Sequence, residues 1–143
     1  MPRTIRTIIE DREPLTAPAQ MTVGEAARLM KQSQYSAVMV VEDGKLAGIF
    51  TERDALFKVT AEGRDAQTTR LSEVMTRTPH TIHPDKPFAD ALHLMHVNGF
   101  RHVPVVEDGR PIGMVSARDA LGPELEDVVY EWIRQEQVHD ILA

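Results

Sequence analysis

Val38-Met39-Val40-Val41-Glu42-Asp43-Gly44 recurs as Val103-Pro104-Val105-Val106-Glu107-Asp108-Gly109. Each copy is an unbroken apolar run that ends in Asp-Gly. Such a run marks a strand buried on both faces. Asp-Gly is a strong hairpin signal, because the tight turn needs positive φ at both central positions. Return strands follow over Ala47 to Phe50 and Ile112 to Val115. Pro104 has no N–H, which puts that position at an edge or an irregularity of its ladder.

Outward from the hairpins the chain keeps matching itself at a shift of about 65 residues, from Pro14/Pro79 to Leu56/Leu121. Thr16 falls on Thr81, Ala26, Leu29 and Met30 on Ala91, Leu94 and Met95, and Gly48 on Gly113. Each copy opens on an extended Pro-x-Thr segment (Pro14-Leu15-Thr16, Pro79-His80-Thr81) and continues into an amphipathic helix. In the first helix Thr22 and Glu25 have capping-box spacing, and Ala26, Ala27, Leu29 and Met30 form the apolar stripe. In the second, Pro87 suits the first helical position, Phe88, Ala91, Leu92 and Met95 form the stripe, and Gly99 stops the helix.

A further helix starts near Thr51 and near Ser116. The expected fold is therefore α+β: two β-α-β-β-α repeats about a pseudo-two-fold axis, with two related clefts. The expected division is an N-terminal segment (1–13), repeat one (14–60), a linker (61–70), repeat two (71–122) and a C-terminal helix (123–143). In that last helix Leu125, Val128, Val129, Trp132 and Ile133 share one face, so it packs on this body or on another copy.

The chain has 143 residues, enough for one core shared by two units that would each be marginal. Its formal charge of −6 argues against a nucleic-acid partner. With no Cys there are neither disulfides nor thiolate metal sites. No apolar run is long enough to cross a membrane, and the first residues lack the apolar core of a signal peptide. These features suggest a cytoplasmic protein.

The chemistry lies in Gly48-Ile49-Phe50-Thr51-Glu52-Arg53-Asp54 and its copy Gly113-Met114-Val115-Ser116-Ala117-Arg118-Asp119. A hydroxyl residue followed three positions later by an acid is close to an ordinary helix cap. Here it occurs twice in one register, with an Arg beside each acid. Each return strand also carries a Gly that leaves room for something flat or for another backbone. A strand running into a helix start offers N–H donors to a phosphate, and a carboxylate one turn on accepts from two vicinal sugar hydroxyls.

These doubled segments, together with the Val-x-Val-Val-Glu-Asp-Gly hairpins and the Pro-x-Thr entries, resemble a tandem pair of CBS (cystathionine β-synthase) domains, the Bateman module. The resemblance covers roughly residues 14 to 121. It implies a disc-like fold, dimerisation and regulatory binding of an adenine nucleotide: AMP, ADP or ATP, with NAD or S-adenosylmethionine less expected. Carried onto this chain, Asp54 and Asp119 hold ribose, with Thr51 and Ser116 on the phosphate side and Arg53 and Arg118 beside them. Leu15, Thr16 and Ala17, and His80, Thr81 and Ile82, become adenine-lining segments. Ala37 and Val38, and Val103 and Pro104, complete the slots.

Repeat two has Arg101-His102 where repeat one has Ser36-Ala37. A basic residue there tends to face phosphate in this family, so the cleft of Ser116 and Asp119 is expected to be the tighter one. His80/His83 and His93/His96 are spaced as metal ligands can be, but no acidic cluster in the sequence completes a set, so no metal and no required cofactor are expected. Ser116 near His102 is a conceivable catalytic pair, yet nucleophile elbow and phosphate-transfer loop are both missing, so no catalytic residue and no enzyme are expected. The expected function is a homodimeric sensor of adenine nucleotides that signals to an effector protein in trans. The alternative is an interaction protein with vestigial clefts, acting through its C-terminal helix and dimer surface.

Overall fold

The computed structural model describes residues 3–121 and Arg134; the expected C-terminal helix therefore lies outside the described residues, Arg134 excepted. Its fold is α+β. Helix α1 (Ile5–Ile9) leads to strand β1 (Thr16–Ala17), helix α2 (Val23–Ser33) and the hairpin β2 (Ala37–Glu42) and β3 (Lys45–Thr51). Helix α3 (Glu52–Asp54) runs on as a π-helix over Ala55–Thr60, and α4 (Leu71–Val74) precedes β4 (Thr76–Arg77). The second half holds α5 (Phe88–Asn98), the hairpin β5 (His102–Glu107) and β6 (Arg110–Ser116), and a 3-10 turn at Ala117–Asp119. No helix among the described residues is long and apolar enough to cross a membrane.

The two hairpins are copies in register and in irregularity. Asp43 and Gly44 (φ 52° and 76°) match Asp108 and Gly109 (φ 54° and 80°), as the turn requires. The ladder shifts between Val40 and Val41 in one hairpin and between Val105 and Val106 in the other. Beyond the hairpins the sheets diverge. The first has four strands in the order β1-β2-β3-β4, with β1 parallel to β2; the second has two, with a single parallel bridge from Ile82 to Val105. Pro104 accounts for the missing parallel strand. Met39 N donates to Leu15 O at 3.0 Å, and Pro104, its counterpart, has no proton to give.

The helices bury the faces that their spacing dictates. Thr22 caps α2 by accepting from Glu25 N at 3.2 Å, and Gly99 (φ 73°) ends α5. Phe88, Ala91, Leu92 and Met95 are all buried. On α2 the buried set is Val23, Gly24, Ala26 and Met30, while Ala27, expected in the stripe, is exposed, because it lies one residue round the helix from Ala26. Pro87 caps α5 rather than starting it.

Two cores form, and the chain crosses between them. Leu71, Val74 and Met75 pack in the first core, with Val38, Val40 and Phe50. Ile5 and Ile9 pack in the second, with Phe88, Val103 and Val115. Backbone bonds hold each crossing: Leu71 N to Met21 O at 2.9 Å, and Ile5 N to Lys86 O at 3.0 Å. Thus α1 precedes repeat one yet closes the core of repeat two, while α4 does the reverse. The same exchange explains the repeated Gly. Gly48 lies against Met75 and the carbonyl of Thr76, and Gly113 against Ile9, so each makes room for a crossing segment rather than for a ligand.

Candidate functional site: two crossed clefts

Strands β3 and β6 lie against each other, and a cleft opens on either side of their contact. The first, about 790 Å³, is lined by Thr51, Arg53 and Asp54 of the first motif and by His80, Arg101 and His102 of the second half. Ile49, Leu56, Phe57 and Phe100 give it apolar walls. The second, about 330 Å³, is lined by Ser116, Arg118 and Asp119 of the second motif and by Ser36 and Ala37 of the first half, with Arg12, Tyr35 and His102. Each cleft thus pairs the motif of one repeat with the strand entry of the other.

Within both motifs the acid turns back on its own backbone. Asp54 Oδ2 accepts from Thr51 N at 3.0 Å, and Asp54 N donates to Thr51 Oγ1 at 3.2 Å. Asp119 Oδ2 accepts likewise from Ser116 N at 2.8 Å. The helix cap thereby fixes the orientation of each carboxylate. Thr51 accepts through its oxygen and keeps its own proton to give. Asp54 is buried, with its Oδ1 3.1 Å from Lys58 Nζ. Lys58 also donates to Val74 O and Thr76 Oγ1, and it is not among the residues lining the cleft.

The first cleft has an aromatic floor. His80 stacks on Phe100 at 5.5 Å between ring centroids. Arg53 donates to Gly99 O at 3.3 Å and lies 6.0 Å from the centroid of Phe57, so it spans the two halves. Arg101, expected beside Ser116 and Asp119, lines the cleft of Thr51 and Asp54 instead. Its backbone carbonyl accepts from Ala117 N of its own motif at 3.0 Å, while Arg101 lines the cleft of the other motif. The larger cleft is the first, and it is the one that holds Arg101, the residue on which the expected asymmetry rested.

Other residues singled out in the sequence lie outside both clefts. Ala17, Val38, Val103 and Pro104 are buried, Leu15 and Ile82 are half-buried against the two cores, and Thr16 and Thr81 are exposed away from the lining. Phe57, Phe100 and Arg12 line the clefts without having been singled out. Phe57 and Phe100 lie near Asp54 and Arg101 in sequence, whereas Arg12 comes to its cleft only because the repeats exchange their flanking segments.

His102 reaches both clefts and shares a 2.7 Å hydrogen bond with Ser36 Oγ. Its Nε2 is thus engaged away from Ser116. Burial holds its pKa below the ordinary 6.5, against the pull of Glu52 and Asp119 and with the push of Arg101. A depressed folded value means that the unfolded chain binds a proton which the folded chain refuses, so stability falls as pH drops below about 6.5 and levels off below the folded value. We expect His102→Gln to flatten this part of the stability-versus-pH curve in urea unfolding at about pH 7 and pH 5. An unchanged curve would refute the assignment.

Contrary to expectation, the fold does bring an acidic pair to a histidine: ligand atoms of His83, Asp85 and Glu107 lie within 4.8 Å of one another. Asp85 and Glu107 are too far apart in sequence for the cluster to be visible there. Arg6 already fills it, at 2.9 Å from Asp85 Oδ1 and 2.6 Å from Glu107 Oε2, and these bonds hold both carboxyls below the usual pKa range. His93 and His96 are exposed on α5.

Comparison with known proteins matches this architecture. The CBS domain family matches twice, over residues 5–60 and 71–123. The CBS domain-containing protein YhcV of Bacillus subtilis is 39% identical over 104 residues, covering 73% of this chain and 74% of its own length. Among solved structures, the CBS domain pair of protein MJ0100, in complex with 5′-methylthioadenosine and S-adenosyl-L-methionine, superposes with a TM-score of 0.74 at 29% identity, covering 83% of this chain and 93% of that one. The CBS domain protein PAE2072 of Pyrobaculum aerophilum, complexed with AMP, superposes at 0.79; at 20% identity, over 90% of this chain and 99% of that one, it shares the fold.

Proposed function

Because this chain belongs to the CBS domain family, with two such domains in tandem, we propose that it is a regulatory module that binds an adenine nucleotide or related adenosyl ligand in the cleft of Thr51 and Asp54. One observation carries the proposal: a cleft of about 790 Å³ has a pre-oriented hydroxyl and carboxylate on one wall and Arg101, His80 and Phe100 of the other repeat facing them. Asp54 accepts from the two ribose hydroxyls, Thr51 and Arg101 hold phosphate, and the base lies among Ile49, Phe57 and Phe100. The ligands of MJ0100 and PAE2072, each built on adenosine, support the choice.

Such a ligand touches both halves at once. Binding then favours one arrangement of the repeats, which a partner reads. The exposed Leu56 and Phe57 support a second copy of the chain as the neighbour of this rim. Nothing in the proposed mechanism calls on catalysis or a cofactor.

A thermal-shift panel of AMP, ADP, ATP, NAD and S-adenosylmethionine tests the proposal. A ligand present at about 100 times its Kd adds about 2.7 kcal/mol and raises Tm by roughly 5–10 °C in a domain of this size. Arg101→Ala should weaken a phosphate-bearing ligand about 2- to 5-fold, the range for an exposed charged contact, and leave adenosine unaffected. No shift with any ligand at millimolar concentration would overturn the proposal in favour of an interaction protein working through residues 123–143.

A further inference from the structure

We propose that the second cleft is plugged by the chain's own Arg12, so that the protein takes one nucleotide per chain, in the cleft of Thr51 and Asp54. This rests on the nucleotide reading above and adds a stoichiometry and its cause. The exchange of flanking segments sets the frame. Thr4 bridges Pro87 as Arg70 bridges Thr22, and Ile9 underlies Gly113 as Met75 underlies Gly48. On that correspondence Arg12 falls on Thr78. Thr78 lines the first cleft with a short side chain whose hydroxyl donates to the Arg77 carbonyl. Arg12 lines the second with a guanidinium.

That guanidinium takes the group a ribose would need. Arg12 Nη2 lies 2.7 Å from Asp119 Oδ1, and Asp119 Oδ2 already accepts from Ser116 N at 2.8 Å. Both oxygens are thus engaged, one of them by a cation in the cleft wall. The side chain of Asp119 is only 11% exposed, so the pair is largely shielded from water on its acidic side. Asp54 also meets a cation, but Lys58 comes from its own helix and stays out of the lining.

The plug is anchored. Arg12 N donates to Ile9 O at 3.0 Å, Ile5 and Ile9 are buried in the second core, and Arg3 of the same segment donates to the Asp119 carbonyl at 2.8 Å. A nucleotide entering this cleft has to break a shielded ion pair and move a segment fixed to the core. The second cleft is also the smaller, about 330 against 790 Å³, and Arg12 forms part of its wall.

Titration calorimetry with AMP, and in parallel with S-adenosylmethionine, tests the plug. Wild type should bind about one ligand per chain and Arg12→Ala about two, with the first site's Kd unchanged within about 2-fold. That unchanged site also shows the variant to be folded. Arg12→Ala combined with Asp119→Asn should return to one site. Two sites in wild type, one site in Arg12→Ala, or a weakened first site would each overturn the plug while leaving the nucleotide reading intact. No heat from either ligand with either protein would overturn both.

Discussion

Asp54→Asn lowers affinity for the adenosyl ligand by roughly 30- to 150-fold, the equivalent of losing about 2–3 kcal/mol from hydrogen bonds to a charged acceptor. Asn is the informative replacement. Its carbonyl oxygen still accepts from Thr51 N, a bond of 3.0 Å in the native protein, so the helix cap survives. What is lost is the charge and one acceptor, and an amide N–H cannot receive a ribose hydroxyl proton. Lys58 loses its 3.1 Å ion-pair partner but keeps Val74 O and Thr76 Oγ1. Asp54→Ala, by contrast, also leaves Thr51 N without its acceptor, which is half of the capping box, so it adds about 1 kcal/mol of destabilisation and confuses folding with binding. Calorimetric Kd values for wild type and Asp54→Asn decide the matter. Equal affinities would show that the carboxylate is only a cap, the plain structural role that a Thr-x-x-Asp segment always offers.

The second large effect is on stability. Gly48→Ala should cost about 2–3 kcal/mol, against about 1 kcal/mol or less for Gly113→Ala, although the two glycines are repeat counterparts. A Cβ on Gly48 comes 2.8 Å from Met75 Sδ and 2.8 Å from the carbonyl oxygen of Thr76. That carbonyl belongs to β4, which pairs with β3 at Gly48↔Arg77 and Ile49↔Thr76, so it moves only by breaking the sheet edge. At Gly113 the nearest atoms are Ile9 Cβ and Cδ1 at 3.0 Å and Cγ2 at 3.1 Å, contacts that are tight but longer, and none of them is backbone. Neither glycine has positive φ, so the clash and not backbone strain makes the difference. Urea midpoints at constant m read the result directly. Thr76 also lines the first cleft, so Gly48→Ala should weaken the ligand along with the fold. A smaller loss for Gly48→Ala than for Gly113→Ala would refute this account of why the return strand carries glycine.

Much of this molecule is legible in the chain because its signals are local. Asp-Gly dictates a turn through the φ values of two adjacent residues. Phe88, Ala91, Leu92 and Met95 share a face because they are on one helix, and Thr51 and Asp54 meet because they are three residues apart. Pro104 foretold a strand with little pairing on one side, where a single bridge from Ile82 to Val105 forms, because the missing proton is its own. The self-match likewise required nothing beyond comparing the chain with itself.

The partners in each cleft lie on the other side of that boundary. Nothing local tells Arg101 that it will face Asp54 rather than Asp119, or Arg12 that it will reach Asp119 across the whole length of the two repeats. Those pairings depend on α1 and α4 each closing the other repeat's core, an arrangement set by how two apolar faces bury best together. The sequence by itself determined two copies of one unit, their turns, strands and caps, and the paired motif residues Thr51, Asp54, Ser116 and Asp119. Only the tertiary structure decided which copy supplies the opposite wall, and so which cleft is the larger. The physical reason is range: dihedral preferences and caps act over a few residues, whereas contacts between the two cores follow from packing, which no short stretch of sequence encodes.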